Sequence, residues 1–367
     1  MTEQSEVRSL GFARRGEVSF FSQVDEDPAE GQFQVQTLYS GFSATAELSL
    51  LDGWSPALRR SWDDDPGEAG ASEPLMSYPL RSPGCMEVGR VTESRTPVVA
   101  IGQVLAMAYG HRSAYTADPQ RDLFIPLPQD LDPLLGILVA HTGPDCANSL
   151  LHAAAERAGA AARDIGDGVR GRQVLVTGDD ASAFLTALFA LYGGAAGVAI
   201  ATTQPELLAA AHTLGILALD NADGEADLDC TARWTHAPGD RGADVAFACG
   251  TDDASLRTAI RSLRPDGTLV ITTAAPKSVP DTLLAVAFTR ALRVRHAPLE
   301  RVPPSLASLW DRRGLCMETV YLLQEYGTLL LDLLRADVVP FSAGLAALAE
   351  LDAGARQPIQ LTFAYSV

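Results

Sequence analysis

The stretch Gly171 to Ala201, GRQVLVTGDDASAFLTALFALYGGAAGVAIA, reads as strand, tight turn, helix and strand. Such a unit opens a dinucleotide-binding fold, in which a diphosphate rests on backbone N–H groups at the start of the helix. That chemistry asks for glycines, because the backbone must approach the phosphates closely. The turn here is Gly178-Asp179-Asp180-Ala181-Ser182-Ala183. Its first glycine is kept, the second becomes Asp180, and the third becomes Ala183, a mild change. A carboxylate about 4 Å from a phosphate charge costs on the order of 4 kcal/mol at an effective dielectric near 20. A nucleotide therefore requires Asp180 to point outward, with Gly178 and Ser182 supplying donors. The competing reading is that Asp179 or Asp180 caps the helix and fills the anion site. At the end of the second strand NAD sites carry an acid and NADP sites a nearby cation. This chain has Thr202 there, and no Arg or Lys occurs from Ala201 to His212. Thr202 offers a ribose only a weak hydrogen bond. NAD, NADP and no nicotinamide all stay open.

The elements that must hold this turn follow from periodicity. Strands are predicted at Val174 to Thr177, Val198 to Ala201, Asp244 to Ala248 and Thr268 to Thr272. Helices are predicted at 145 to 163, Ala181 to Tyr192, Pro205 to Leu214 and Asp253 to Leu263. Pro205 suits a first helical turn and Gly215 a helix end. Such alternation means a parallel sheet with helices on both faces. Residues 16 to 50 instead hold alternating β-prone runs such as Gln32 to Tyr39, and strand-like pieces resume at Gly84 to Thr92 and Val98 to Ala108. These predict an antiparallel barrel or sheet. Between them, residues 52 to 77, with WDDDPGEAGASEP, read as an acidic surface loop. Beyond residue 300 come helices at Thr319 to Arg335 and Gly344 to Leu351, then a strand near Ile359 to Tyr365.

The chain has 367 residues, of which 47% are hydrophobic, enough for two ordinary domains with sizeable cores. A net charge of −18 argues against nucleic acid and anionic membrane surfaces, both of which need clustered Lys and Arg. Five widely spaced cysteines without a CxxC pair suit a reducing cytoplasm. The opening MTEQSEVRSL lacks the basic and apolar regions of a signal peptide. The apolar run Phe184 to Ala201 is broken by Gly193 and Gly194, so it reads as helix plus buried strand rather than a membrane span. The expectation is a cytoplasmic protein.

Several local segments, taken in order, resemble the medium-chain dehydrogenase/reductase family over nearly the whole chain. Tyr39-Ser40-Gly41-Phe42-Ser43-Ala44-Thr45-Ala46-Glu47 is similar to the segment at the family's first catalytic-zinc position. Its form resembles the zinc-lacking branch that contains bacteriochlorophyllide dehydrogenases. Gly84-Cys85-Met86-Glu87-Val88-Gly89 is similar to the family's Gly-His-Glu-x-x-Gly, and Gly242 to Gly250 with Gly267 to Ile271 fits the later Rossmann strands. The resemblance implies an α/β fold: a GroES-like β-barrel-type domain (1–138), a Rossmann doubly wound parallel-sheet domain (139–298), and a C-terminal return to the first domain (299–367). The family's zinc positions carry over to Ser43, Cys85 and Asp145 or Cys146. Serine is a poor zinc ligand and thiolates are good ones. The expectation is two buried free cysteines and no zinc, with a rearranged site on Cys85 and Cys146 as the alternative. The four-cysteine structural zinc lobe is absent, since no cysteine lies between Cys85 and Cys146.

Without zinc, a carbonyl or enone oxygen must be polarised by hydrogen-bond donors or acids. The resemblance places Tyr39, Ser43, Tyr109, His111 and His141 as catalytic candidates in an interdomain cleft. Glu47, Cys85, Asp145 and Asn148 stand there as substrate-binding candidates. Cys249 joins Gly178, Asp180, Ser182 and Thr202 as a cofactor position. The first functional reading is a zinc-independent NAD(P)-linked oxidoreductase acting on a small organic molecule. The second is a redox-inactive relative doing acid–base chemistry such as dehydration, isomerisation or cyclisation, in which His111, His141, Glu47 and Asp145 matter more. The third is a non-catalytic binding protein. Ala/Arg/Gly-rich usage suggests a high-GC bacterial source and a role in specialised metabolism. The family resemblance implies a homodimer, with Thr268 to Ala274 as the candidate sheet edge.

Overall fold

Alternating apolar and polar residues make Phe33 to Gly41 the central strand of an antiparallel sheet. The computed structural model describes residues 6–24, 27–58, 74–250, 252–272, 282–298 and 301–366. Two units are distinguished: residues 1–140 with 334–367, and residues 141–333.

The first unit opens with a hairpin, β1 (Glu6–Arg14) and β2 (Glu17–Val24). Strand β3 (Phe33–Gly41) runs into helix α1 (Ala44–Leu51). Then come β4 (Met86–Ser94), β5 (Val104–Met107), β6 (Ala114–Ala117) and β7 (Phe124–Pro126). Strand β3 pairs antiparallel with β4 and β6, and β4 leads on to β5 and β7. Phe33, Val35, Val91, Leu105, Met107 and Phe124 fill one core of this unit. Two sequence expectations are corrected here. Part of the stretch read as strands to residue 50 is α1. The strand expected from Val98 to Ala108 begins only at Val104. Pro97 and the positive φ of Gly102 make the preceding residues a turn. The acidic loop at 52–77 lies outside the described residues from 59 to 73.

The second unit alternates as its sequence predicts. Helix α2 (Thr142–Ala158) precedes β8 (Gln173–Thr177), α3 (Ala181–Tyr192), β9 (Gly197–Thr202), α4 (Pro205–Thr213) and β10 (Leu217–Asp220). A short helix α5 (Ala226–Arg233) and a small hairpin, β11 (Thr235–Ala237) with β12 (Asp240–Arg241), follow. Then come β13 (Ala243–Ala248), α6 (Asp253–Ser262), β14 (Leu263–Ile271), α7 (Thr282–Thr289) and β15 (Arg293–His296). The parallel sheet has the order β10-β9-β8-β13-β14-β15. The order reverses between β8 and β13, the crevice where such sheets bind ligands. Strand β14 is interior, paired to β13 and β15, so among the described residues the sheet edge lies at β15 and not at Thr268 to Ile271; residues 273 and 274 of the expected edge lie outside the described residues.

The return to the first unit comes later than residue 299. Asn148 holds the carbonyls of Pro298 and Arg301, and Trp310 donates to the Arg163 carbonyl, so this stretch stays with the parallel-sheet unit. Helix α8 (Arg312–Arg335) carries the chain back to β16 (Val338–Pro340), α9 (Gly344–Asp352) and β17 (Thr362–Ala364). Strand β17 completes the first sheet against β3. Phe341, Leu348 and Phe363 join Leu10, Phe12 and Phe42 in a second core there.

Candidate functional site

Helix α1 starts at Ser43, whose side chain makes no capping bond. Glu47, one turn on, reaches back so that its Oε1 accepts from the Ser43 N–H at 2.8 Å. Its other oxygen meets His111 Nε2 at 2.8 Å. The opposite ring nitrogen, Nδ1, meets Ser40 Oγ at 2.8 Å, and Ser40 Oγ meets the Tyr365 hydroxyl at 2.9 Å. The acceptor at Glu47 assigns the ring proton to Nε2, leaving Nδ1 to accept from Ser40. A continuous hydrogen-bonded chain thus runs Tyr365–Ser40–His111–Glu47. Ser40, His111 and Glu47 are buried, and Tyr365 is partly exposed. Burial pushes the Tyr365 phenol well above its ordinary range. The imidazole packs between Phe42, at 5.9 Å, and the edge of Phe363, at 5.0 Å. Gly84, at φ +108°, lets the chain before Cys85 pass this ring, since a Cβ there would come within 3.1 Å of Nε2.

Tyr109 joins a different group. Its ring packs tilted against Tyr115, with centroids 4.3 Å apart, under the Arg112 guanidinium at 4.8 Å. Burial pushes its phenol up, helped by Asp122. Glu87, also buried, bonds the Thr37 hydroxyl, which in turn bonds the Arg112 carbonyl at 2.6 Å. Burial raises the Glu87 carboxyl well above the usual range. A protonated Glu87 donating to Thr37 satisfies both bonds. Tyr39 lies beside Ser40 on β3, and successive residues of a strand face opposite ways.

In the parallel-sheet unit the expected turn is present, with its acids turned inward. Asp180 is the N-cap of α3. Its Oδ1 accepts from the N–H groups of Ser182 at 3.0 Å and Ala183 at 3.1 Å, and from the Ser182 hydroxyl at 2.5 Å. Burial raises the Asp180 carboxyl, and the neighbouring Asp179 adds to the shift. Asp179 spans to the end of β9. Its Oδ1 accepts from Thr202 Oγ1 at 2.7 Å and Thr203 N–H at 2.6 Å, and its Oδ2 from Thr203 Oγ1 at 2.9 Å. Of the two readings of Asp180, the helix cap is the one present, because two orphan N–H groups at the helix start draw the carboxylate in. Ser182 and Thr202, expected to face a nucleotide, are committed to these carboxylates. Gly178 does hold the strained position a tight turn needs, at φ +146°, where a Cβ would come within 3.0 Å of the Ala183 side chain and 3.1 Å of the Gly250 nitrogen.

The remaining candidates lie apart from the Tyr365–Ser40–His111–Glu47 chain. Cys146 Sγ donates to the Ser182 carbonyl at 3.3 Å, and Cys249 Sγ lies 3.6 Å from Thr186 Oγ1. Burial raises both thiols, Cys249 to about 12. His141 directly precedes α2, 3.9 Å from Asp145, and burial with Arg312 nearby lowers it to about 3. Asn148 is tied to backbone carbonyls. Cys85 is partly exposed. Among the described residues no three His, Cys, Asp or Glu side chains gather as a metal site. Of the residues near the first zinc position, Ser43 is a poor zinc ligand and the facing atoms of Glu47 and His111 are already spent on one another, so this group as it stands does not fit zinc. Nor does the start of α3, as its side chains stand, fit a diphosphate.

No family model matches the sequence, and no curated protein matches it. Solved structures do. An alcohol dehydrogenase of Thermotoga maritima aligns at a TM-score of 0.71 with 14% identity, over 99% of this chain and 100% of that one. Galactitol-1-phosphate dehydrogenase of Escherichia coli aligns at 0.69 with 14% identity, over 97% of this chain and 99% of that one. This is the medium-chain dehydrogenase/reductase fold. A third protein of that fold, from Sinorhizobium meliloti 1021 and solved with NADP bound, aligns at 0.68 with 16% identity, over 98% of this chain and 100% of that one. Both units of the dehydrogenase fold are thus represented in one continuous chain. Within it, the sequence reading named Glu47 and His111 but missed Ser40, Tyr365, Thr37 and Arg112. Their partners lie 50 to several hundred residues away in sequence, so no spacing marks them.

Proposed function

We propose that this protein is a zinc-independent oxidoreductase acting on a small organic molecule. The observation that carries this reading is the likeness, along nearly the entire chain, to dehydrogenases in both its units. The proton work falls to the chain in the first unit. When substrate is oxidised, Tyr365 takes the proton at its oxygen as its own proton moves to Ser40 and that of Ser40 to His111 Nδ1, and Glu47 balances the imidazolium that forms. In reduction the imidazolium returns the proton along the same chain to Tyr365, which gives it to the substrate. Phe42 and Phe363 hold the ring and exclude water from it. Ser43 stands where the family's first zinc ligand would be and leaves the oxygen of the substrate to hydrogen-bond donors.

The experiment is a screen of aldehydes, ketones and enones with NADH and NADPH, following nicotinamide absorbance. Turnover is expected with at least one class. Tyr365→Phe should lower kcat by roughly 10²-fold, the scale of general acid–base catalysis, with little change in KM. No turnover across the panel, with no binding of either nucleotide, would remove the reading.

The inward set of Asp179 and Asp180 favours a second reading, a redox-inactive relative that uses the same proton chain for dehydration, isomerisation or cyclisation. Activity on a substrate without added nucleotide, lost in Tyr365→Phe, distinguishes it. A bacterial role in specialised metabolism agrees with either.

A further inference from the structure

Two carboxylates stand where a fold of this kind receives a dinucleotide. The diphosphate belongs on the N–H groups at the start of α3, and a ribose belongs at the end of β9. Asp180 occupies the first place and Asp179 the second, each held by three hydrogen bonds. A diphosphate arriving there finds its donors already used and a carboxylate in its own position.

We propose that Asp180 is an internal anion that competes with the dinucleotide for the start of α3, so that a nicotinamide nucleotide enters only as this side chain leaves its cap. The inference rests on the oxidoreductase reading. Displacement returns the N–H groups of Ser182 and Ala183, together with the Ser182 hydroxyl, to the incoming phosphate. Asp179 need not move. It delivers to the end of β9 the carboxylate that the strand itself lacks. A 2′-phosphate meets that charge, so the nucleotide admitted is NAD(H) rather than NADP(H). The site is thus closed at rest by the protein's own charge.

The test titrates the full-length wild-type chain, Asp180→Gly and Asp180→Asn with NADH and with NADPH, following nicotinamide fluorescence, with circular dichroism to verify folding. Asp180→Gly is expected to bind NADH at least about tenfold tighter than wild type, the effect of removing a modest part of one unscreened repulsion. Asp180→Asn keeps the cap and loses the charge, so its gain is smaller. Asn caps helices as well as Asp, so this variant carries the test if Asp180→Gly fails to fold. Wild type binding NADH as tightly as both variants would overturn the occlusion and leave the oxidoreductase reading standing. Folded variants that bind neither nucleotide would overturn both. A gain for NADPH as large as that for NADH would overturn the role given to Asp179.

Discussion

His141 shows how burial alone decides what a residue can do. Among the described residues its Nδ1 has no hydrogen-bond partner, and its pKa falls to about 3 because burial and the Arg312 charge both disfavour the imidazolium. It is therefore neutral across the physiological range and serves poorly as an acid. The unfolded chain takes up this proton near 6.5, whereas the folded chain holds out to about 3. Stability is consequently lost as pH falls from about 6.5 toward 3. Unfolding by urea at pH 7 and at pH 4 should show a smaller loss in His141→Gln than in wild type, and equal losses would reject the assignment. His111, of the same residue type, lies in a satisfied chain between Glu47 and Ser40. Nothing in the sequence around the two histidines separates these fates. Glu47 lies 64 residues from His111, and Tyr365 lies 325 residues from Ser40.

At the scale of elements, the decisive feature is the cap of α3. Asp180 binds two backbone N–H groups of the first turn. Asp180→Ala should destabilise the protein by about 1 kcal/mol, the usual worth of such a cap, whereas Asp180→Asn should cost much less. Thermal unfolding of the two variants provides the comparison, and equal shifts would mean that the bonds contribute nothing. In the parallel-sheet unit the strands from Val174 and Val198 and the helices from Ala181, Pro205 and Asp253 were legible within a residue or two, because buried runs such as Val174 to Thr177 are bounded by glycine turns. The helix expected at 145 to 163 instead spans Thr142–Ala158, and the strand expected from Thr268 begins at Leu263. The first unit was less so. Ser43 to Leu51 has enough alternation to pass for strand, and only its packing beside Phe42 in the core makes it a helix. The cap itself was foreseen as one of two readings. The choice between them depended on where the N–H groups of Ser182 and Ala183 found their acceptor.

Among the described residues, α7 and β15 carry large apolar side chains that stand exposed. On α7, Leu284 and Phe288 are 79% and 89% exposed, one helical turn apart, and Val294 on the edge strand β15 is also exposed. Leu284 and Phe288, four residues apart, share one face of α7, and exposed apolar side chains that adjoin in this way mark an interaction surface. The partner we propose is a second copy of this chain. Light scattering is expected to give a dimer for wild type and a monomer for Phe288→Asp, and a monomeric wild type would refute the assignment. Arg293 and Arg295 flank Val294 on the same strand and pair with Glu156, which discourages indiscriminate edge pairing.

The sequence by itself determined the alternation of strand and helix and the acids in the turn after β8. These are local properties, written in periodicity and residue identity over a few turns. Only the tertiary structure decided that Asp180 turns inward, that Asp179 reaches β9, and that Tyr365 closes a chain with Ser40, His111 and Glu47. Each of those outcomes depends on which donor finds which acceptor once distant segments are packed. Hydrogen bonds are short and directional, so spacing along the chain does not fix them.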